Sequence, residues 1–361
     1  MSKAIEQVLG YVNILGVIEA VKSGLPVPFP KEFLTLTEGT VGDYGTLTRT
    51  RGQRRVARQT AYGSPARRRE QKGVESVPVK LLHSFEEINL NPQVLHQLRA
   101  LDSYTNDQGK QEVARQVREF VQLYHNSRIM SVVQALVYGA IYYDANGNLL
   151  PTSSGASLTV DLGVSANHKN QLNGLIAATW ATTSTNIPQH IRNIKKQSRI
   201  DTGWEIEHCY YGSNIVSYLQ TNEYVKDWWT RNSGKNEELL TTSEIPDNFL
   251  GIKKWYPIYD AFFEDNDGTT QSSVVGGDVA VFCPAPSKEW YTMVEGTYMV
   301  PTTINLMADA AQYLASMKPA RGMFGYSAIS INPPTINMYH GDTWLPWFLN
   351  PDAVYIADVT P

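Results

Sequence analysis

Apolar side chains recur at three- and four-residue spacing over one long stretch, Asp107 to Gly139, at Val113, Val117, Phe120, Val121, Tyr124, Val132, Leu136 and Val137. That period predicts an amphipathic helix with one buried stripe. No proline interrupts it, Thr105 and Gln108 have the spacing of a capping box, and Gly139 suits a left-handed stop. At 1.5 Å per residue the helix would run about 50 Å, far beyond the usual three turns. It reads as a spine for the rest of the chain.

Before the spine the pattern is that of an arm and a hairpin. Ile5, Val8, Leu9, Val12 and Leu15 mark a short amphipathic helix, which must dock on the chain's own core or on a second subunit. Pro26, Pro28 and Pro30 then stiffen an extended linker, so residues 1–35 read as an arm. From Phe33 to Arg51 threonine alternates loosely with leucine and valine, with Gly39, Gly42 and Gly45 as turns or bulges, which predicts strand. Residues 52–73 hold almost no large apolar side chains and cannot pack a core. Residues 74–82 return as a strand that Pro78 confines to an edge. Strand, long polar loop and returning strand predict a hairpin that projects from the body.

Residues 84–106 bridge into the spine. After it, Asn146-Gly147 between the apolar segments Ile141–Ala145 and Asn148–Leu150 predicts a tight two-stranded hairpin, with a further strand at Leu158–Leu162. From about His168 short helices and strands alternate: helices at 188–200 and 212–229, a strand at 204–211, a polar loop at 230–247, and strands at Leu250–Phe263, Asp278–Cys283 and Trp290–Val300. This is a second domain of α/β character. The segment Gly322–Val359, broken at Pro333-Pro334, Gly341-Asp342 and Asn350-Pro351, should return strands to the first sheet. The fold class is α+β.

Composition sharpens this picture at one place. With 11% aromatic and 18% charged residues in 361, the chain is globular and long enough for two domains. Its net charge of -4 hides an asymmetry, because residues 49–72 hold nine Arg or Lys against the single acid Glu70, a net +8 that leaves about -12 elsewhere. Cys209 and Cys283 give no disulfide framework and read as buried free thiols, which fits a reducing compartment. The apolar opening Leu9–Ile18 is broken by Asn13 and followed by Glu19, so no signal peptide is expected. The run Ile129–Ile141 contains Ser131 and Gln134 and falls short of the ~20 residues of a span, so no membrane partner is expected.

The sequence carries no recognisable catalytic constellation. There is no Gly-rich phosphate loop, no paired-histidine metal helix and no Cys-x-x-Cys, so no catalytic residue, metal or cofactor is assigned. His208 and Cys209 are adjacent on an expected strand and would point to opposite faces, which excludes a dyad. Glu264, Asp265 and Asp267 before Gly268 suggest a calcium loop, but that register puts Phe263 and Val274 at ligand positions, so a turn is expected. His340-Gly341-Asp342 likewise reads as a turn. The basic segment has three readings: a solvated loop, a nucleic-acid contact, or an interface with an acidic protein neighbour, which the rest of this chain would supply. Only Tyr62 lies within it as a stacking platform, which counts against a single-strand reader.

The order of these features resembles the major capsid proteins of tailed phages with the Hong Kong 97 capsid fold, and within them the lambda-type head protein (major capsid protein E) family. The similarity covers roughly residues 33–360 and rests on Arg49-Thr-Arg-Gly52, the helix end Ala135-Leu-Val-Tyr-Gly139, the Asp144-Ala-Asn-Gly147 turn, the strand Asp278–Pro284 and the terminal Asn350–Tyr355. It implies an N-terminal arm (1–35), an extended β-hairpin loop (36–82), a peripheral domain with the long spine helix (83–165), an axial α/β domain (166–301) and a return to the peripheral domain (302–361). It further implies a non-enzymatic virion protein that assembles with itself as hexamers and pentamers into an icosahedral head, in the host cytoplasm. Scaffolding, portal and decoration proteins would be its companions, and the packaged double-stranded DNA would be held without sequence-specific contacts.

On that reading Arg49, Arg51, Arg54, Arg55, Arg58, Arg67, Arg68 and Arg69 are subunit-interface residues. Arg115, Arg118 and His125 on the spine are expected to face a neighbour or the shell interior. Two other readings stay open, an encapsulin-like nanocompartment shell and a nucleic-acid-binding protein acting through the basic loop.

Overall fold

The computed structural model describes residues 14, 16–19, 21, 27–42, 44–50, 74–90, 92–99, 103–232, 244–259, 262–264, 271–301, 317–331 and 334–360. In chain order the body begins with helix α1 (Glu32–Thr35), strand β1 (Thr37–Gly39), the ribbon β2 (Tyr44–Thr50) and β3 (Val74–Lys80), β4 (Leu82–Asn89) and helix α2 (Pro92–Arg99). The spine α3 (Ser103–Tyr138) follows, then β5 (Ala140–Tyr143), β6 (Leu158–Asp161) and β7 (Lys169–Asn170). Next come helix α4 (Ile187–Asp201), β8 (His208–Tyr211), helices α5 (Asn214–Thr221) and α6 (Glu223–Asn232), β9 (Lys254–Pro257), β10 (Phe262–Glu264) and β11 (Gln271–Ser273). The chain closes with β12 (Val279–Cys283), β13 (Tyr291–Glu295), β14 (Thr297–Pro301), β15 (Met317–Arg321), β16 (Phe324–Ile331), β17 (Pro334–Phe348) and β18 (Tyr355–Asp358).

The spine exists and is longer than its apolar stripe suggests. It starts at Ser103, so Thr105 and Gln108 lie inside it rather than capping it. The reason is the preceding helix: Asn106 Nδ2 donates to the Leu98 carbonyl at 2.9 Å, and a side chain at Gly109 would meet the Leu98 amide at 3.0 Å, so glycine lets α2 lie against the first turns. At the other end Gly139 takes φ +64, as expected of a left-handed stop. One half of the stripe, Val113, Val117, Val121 and Tyr124, packs with Ile14, Ile18, Leu98 and Met338, while Val132, Val133, Leu136 and Val137 enter a second core with Trp344 and Phe348. Ile14 and Ile18 are buried there, so the described part of the arm docks on its own chain. Ser131 and Gln134, which break the apolar run, are fully buried and satisfied: Ser131 Oγ donates to the Ser127 carbonyl at 2.7 Å and Gln134 Nε2 donates to the Leu150 carbonyl.

Two five-stranded sheets flank this helix. The first runs β1-β13-β17-β16, with β4 also on β17, and the second runs β7-β18-β12-β8-β9. The second sheet is buried on both faces. Tyr210, Val281, Cys283 and Ile356 face the spine's core, whereas Cys209, Tyr211, Ala280, Phe282 and Tyr355 face a separate core with α4 and α5. Alternation along a strand with two buried faces explains why its sequence reads as continuous apolar runs.

Several expected elements shift. The Asp144–Asn148 turn forms, with the Asp144 amide donating to the Asn148 carbonyl at 3.0 Å, but β5 takes β6 as its ladder partner and meets Leu149 at one bridge only. Pro151 has no N–H with which to extend a 148–150 strand. The expected helix 212–229 is two helices, because Asn222 leaves the helical conformation (ψ 130), caps the Val225 amide at 3.1 Å and donates to the Thr183 and Thr185 carbonyls. His340-Gly341-Asp342 is not a turn but lies within the continuous strand β17. The segment after 322 sends β16 and β17 to the first sheet, whereas β18 pairs with β12 and β7 in the second. The fold class α+β stands.

Candidate assembly surface

The root of the expected projecting hairpin is a two-stranded antiparallel ribbon, β2 against β3, in register from Tyr44↔Lys80 to Thr50↔Val74. Among the described residues neither strand joins another sheet, and Pro78 sits opposite Thr46, where no further ladder partner is needed. Trp347 fastens the root to the body. Its Nε1 donates to the Thr48 carbonyl at 3.2 Å, and the Arg49 guanidinium stacks over its ring, 4.4 Å from the centroid. Arg49 Nη2 also donates to the Asp161 carbonyl at 2.7 Å. Arg49 therefore holds the ribbon to its own chain. Arg51, Arg54, Arg55, Arg58, Arg67, Arg68 and Arg69 lie outside the described residues.

Beside this root, the side of the first sheet away from the spine is aromatic. Ladder pairing places Glu87, Tyr339 and Tyr326 in one row and Phe85, Gly341 and Phe324 in the next. Gly341 has no side chain, which leaves room for the Phe324 ring, since a Cβ there would lie 2.4 Å from Phe324 Cζ. Phe85 is 41% exposed and lies 5.8 Å from both Tyr339 and Tyr298, while Tyr326 and Tyr339 stack at 5.1 Å. His83 stacks on Tyr298 at 5.4 Å and bonds the Thr343 hydroxyl at 2.8 Å. Glu87 accepts from Asn337 Nδ2 at the rim. Alternating aromatics at 324 and 326 on one strand and 83 and 85 on another were the signal in the sequence, but only the pairing brings them together.

On the opposite side of the same sheet lies a buried charge cluster absent from the sequence reading. Arg128 on the spine donates from Nε and Nη2 to the two oxygens of Asp342, each at 2.6 Å, and from Nη1 to Glu295 at 2.8 Å. Burial disfavours its charge, yet the two carboxylates outweigh that and push its pKa above the ordinary arginine value. The motif read as a turn is thus a helix-to-sheet clamp. Along the spine's outer face Arg115 pairs with Glu112 and Glu119 and is exposed, as is Arg118, but His125 is buried in the subunit and faces neither neighbour nor interior.

No described residues assemble a reactive centre. His208 bonds Tyr210 at 3.2 Å on one face of β8, and Cys209 lies on the other, where burial pushes its thiol pKa up. Cys209 and Cys283 are free. Among the described residues no three His, Cys, Asp or Glu side chains are grouped to hold a metal, and no helix is long and apolar enough to cross a membrane.

The family model described as phage major capsid protein E matches residues 21–327. No curated protein matches the sequence. Two solved structures are similar in fold. One is a phage-related protein from Bordetella bronchiseptica RB50, at 10% identity and TM-score 0.52 over 95% of this chain and 96% of that one. The other is a proposed capsid protein of an E. coli CFT073 prophage, at 12% identity and TM-score 0.51 over 97% and 99%.

Proposed function

The chain belongs to the phage major capsid protein E family, and from that premise we propose that it builds an icosahedral phage head from hexamers and pentamers, enclosing double-stranded DNA without reading its sequence. Its role is structural: it self-assembles into the virion shell. The match across residues 21–327 carries this reading, and the ribbon agrees with it, because among the described residues β2 and β3 pair with no other strand.

Within the shell the ribbon and residues 51–73 serve as the extended loop, and Arg51, Arg54, Arg55, Arg58, Arg67, Arg68 and Arg69 contact acidic groups of adjacent subunits. Arg49 anchors the loop's base. Residues 83–165 with β13 to β17 form the peripheral domain, and the rest of residues 166–301, with β18, the axial domain around the local symmetry axes. The work of the protein is binding rather than catalysis, in the host cytoplasm, with scaffolding, portal and decoration proteins as partners. Sedimentation of the purified chain tests this: assembled particles of one size are expected, and a monomer at every concentration and salt would overturn it.

A further inference from the structure

Arg128 does more than hold the spine to β17. The third of its bonds goes to Glu295, the last residue of β13, and the chain leaves the first sheet at the next position. From Gly296 it runs out as β14 and returns through β15 to Gly322. Among the described residues β14 and β15 form a two-stranded sheet of their own, in register from Thr297↔Arg321 to Pro301↔Met317. Both crossings are glycines. The Gly322 amide donates to the Gly296 carbonyl at 3.0 Å, and the Gly296 amide donates to the Thr343 carbonyl at 3.1 Å. Gly322 holds φ +66, where a side chain would be strained. A root of two glycines has weak torsional preferences, so side chains must set the direction in which the β14–β15 pair leaves the sheet.

Glu295 supplies that restraint. Its Oε1 accepts from Arg128 Nη1 at 2.8 Å, and its Oε2 lies 3.4 Å from Nε of Arg321, the last residue of β15. One carboxylate is thus shared by the spine helix and the β14–β15 pair. The Arg321 guanidinium lies over Gly39 of β1, where a Cβ would sit 3.0 Å from its Cζ, and Gly39 is the residue paired with Glu295 in the β1–β13 ladder. The same cluster closes Gly322 to side chains, because a Cβ there would sit 2.8 Å from Glu295 Oε1 and 2.9 Å from Arg128 Nη2. Farther out, the stack of Tyr298 on Phe324, with planes at 2°, and the packing of Val300 and Ala320 seat one face of the pair on the sheet. Parallel rings resist separation more than sliding, which leaves the swing of the pair about its root to the carboxylate. The opposite face presents Met299, 50% exposed, across from Pro319.

We propose that Glu295 and Arg321 are positioning residues for assembly: sharing one carboxylate between the spine and the β14–β15 pair fixes the angle of that pair to the spine, and through it the size of the particle the chain builds. This rests on the capsid reading and assigns to it the residues that hold one angle constant from copy to copy. Identical subunits close into a single particle size only when every copy repeats the same rotation, so a loosened joint yields several sizes.

Arg321 is the residue to change. Its side chain is 45% exposed, so its ion pair contributes little to global stability, and Arg321→Gln should keep the parental circular dichroism and urea midpoint. Nitroxides on Gln122→Cys and Lys318→Cys, exposed positions on the spine and on β15, report the angle in the unassembled full chain by double electron–electron resonance, while the buried Cys209 and Cys283 stay unlabelled. The parent should give one narrow distance, Arg321→Gln a distribution about twice as wide, and Arg321→Lys, which keeps the charge, the parental width. Among assembled particles viewed by electron microscopy, Arg321→Gln should cut the share in the main diameter class about twofold and Arg321→Lys should restore it. An unchanged distribution in Arg321→Gln, or one equally wide in Arg321→Lys, overturns the joint and leaves the capsid reading intact. A widened distribution with particles of parental size overturns its role in assembly. A parent chain that forms no particles overturns the capsid reading and the effect on size together, and the distance distributions then test the joint alone.

Discussion

Arg128 and Asp342 meet as a fork, with both carboxylate oxygens 2.6 Å from guanidinium nitrogens and the Asp342 side chain fully buried. The pair joins the spine helix to the longest strand across 214 residues of sequence. Removing one partner leaves the other charge buried and uncompensated, which costs about 3–5 kcal/mol. Asp342→Asn and Arg128→Met should each lower urea stability by that order, and the double variant Arg128→Met/Asp342→Leu should recover much of the loss. Single variants within 1 kcal/mol of the parent would mean that the clamp contributes little.

Gly341 is required for a different reason. A methyl group there would strike the Phe324 ring, so Gly341→Ala should cost about 1–3 kcal/mol by overpacking. It should also displace Phe324 from its stack with Tyr298, 4.7 Å away. A thermal midpoint equal to the parent's would contradict this packing.

His340 predicts an acid dependence. Burial lowers its pKa from 6.5 to about 4, and it stacks on Phe120 at 4.3 Å. The unfolded chain therefore binds a proton that the folded chain refuses between those values, so stability rises with pH across that window and is lost on acidification. This loss of stability approaches about 3 kcal/mol by pH 4 and is absent above pH 7. His340→Phe should flatten this part of the urea-midpoint profile between pH 4 and 7. An unchanged slope in the variant would assign the dependence to other groups.

The loop arginines should matter for assembly and not for folding. Arg54→Glu/Arg55→Glu/Arg58→Glu should give a chain with parental circular dichroism and thermal midpoint that forms few or no shells. Normal shells from this variant would remove the interface role of the loop.

The sequence disclosed those features that depend on local period or local chemistry. The Val113-to-Val137 stripe announced the spine, Gly139 its end, and Pro78 an edge strand. Opposite facing of His208 and Cys209 followed from the period of two. What escaped were relations between distant residues. Asp342 looked like half of a turn because glycine beside aspartate usually is one, and only the Arg128 contact makes it a strand position. The aromatic face was invisible for the same reason, since β4 meets β17 across some 250 residues. His125 was misplaced because polar character suggests exposure, whereas this histidine is buried within its own subunit.

The central claim is that this chain closes into a shell by binding copies of itself. Electron cryomicroscopy of the purified, self-assembled protein tests it most directly. The account predicts closed icosahedral particles whose hexamers and pentamers gather the second sheet and its helices around their axes and lay residues 51–73 of each chain across an adjacent subunit. Particles with residues 51–73 folded back on their own subunit, or a chain that stays monomeric under every assembly condition, would contradict it.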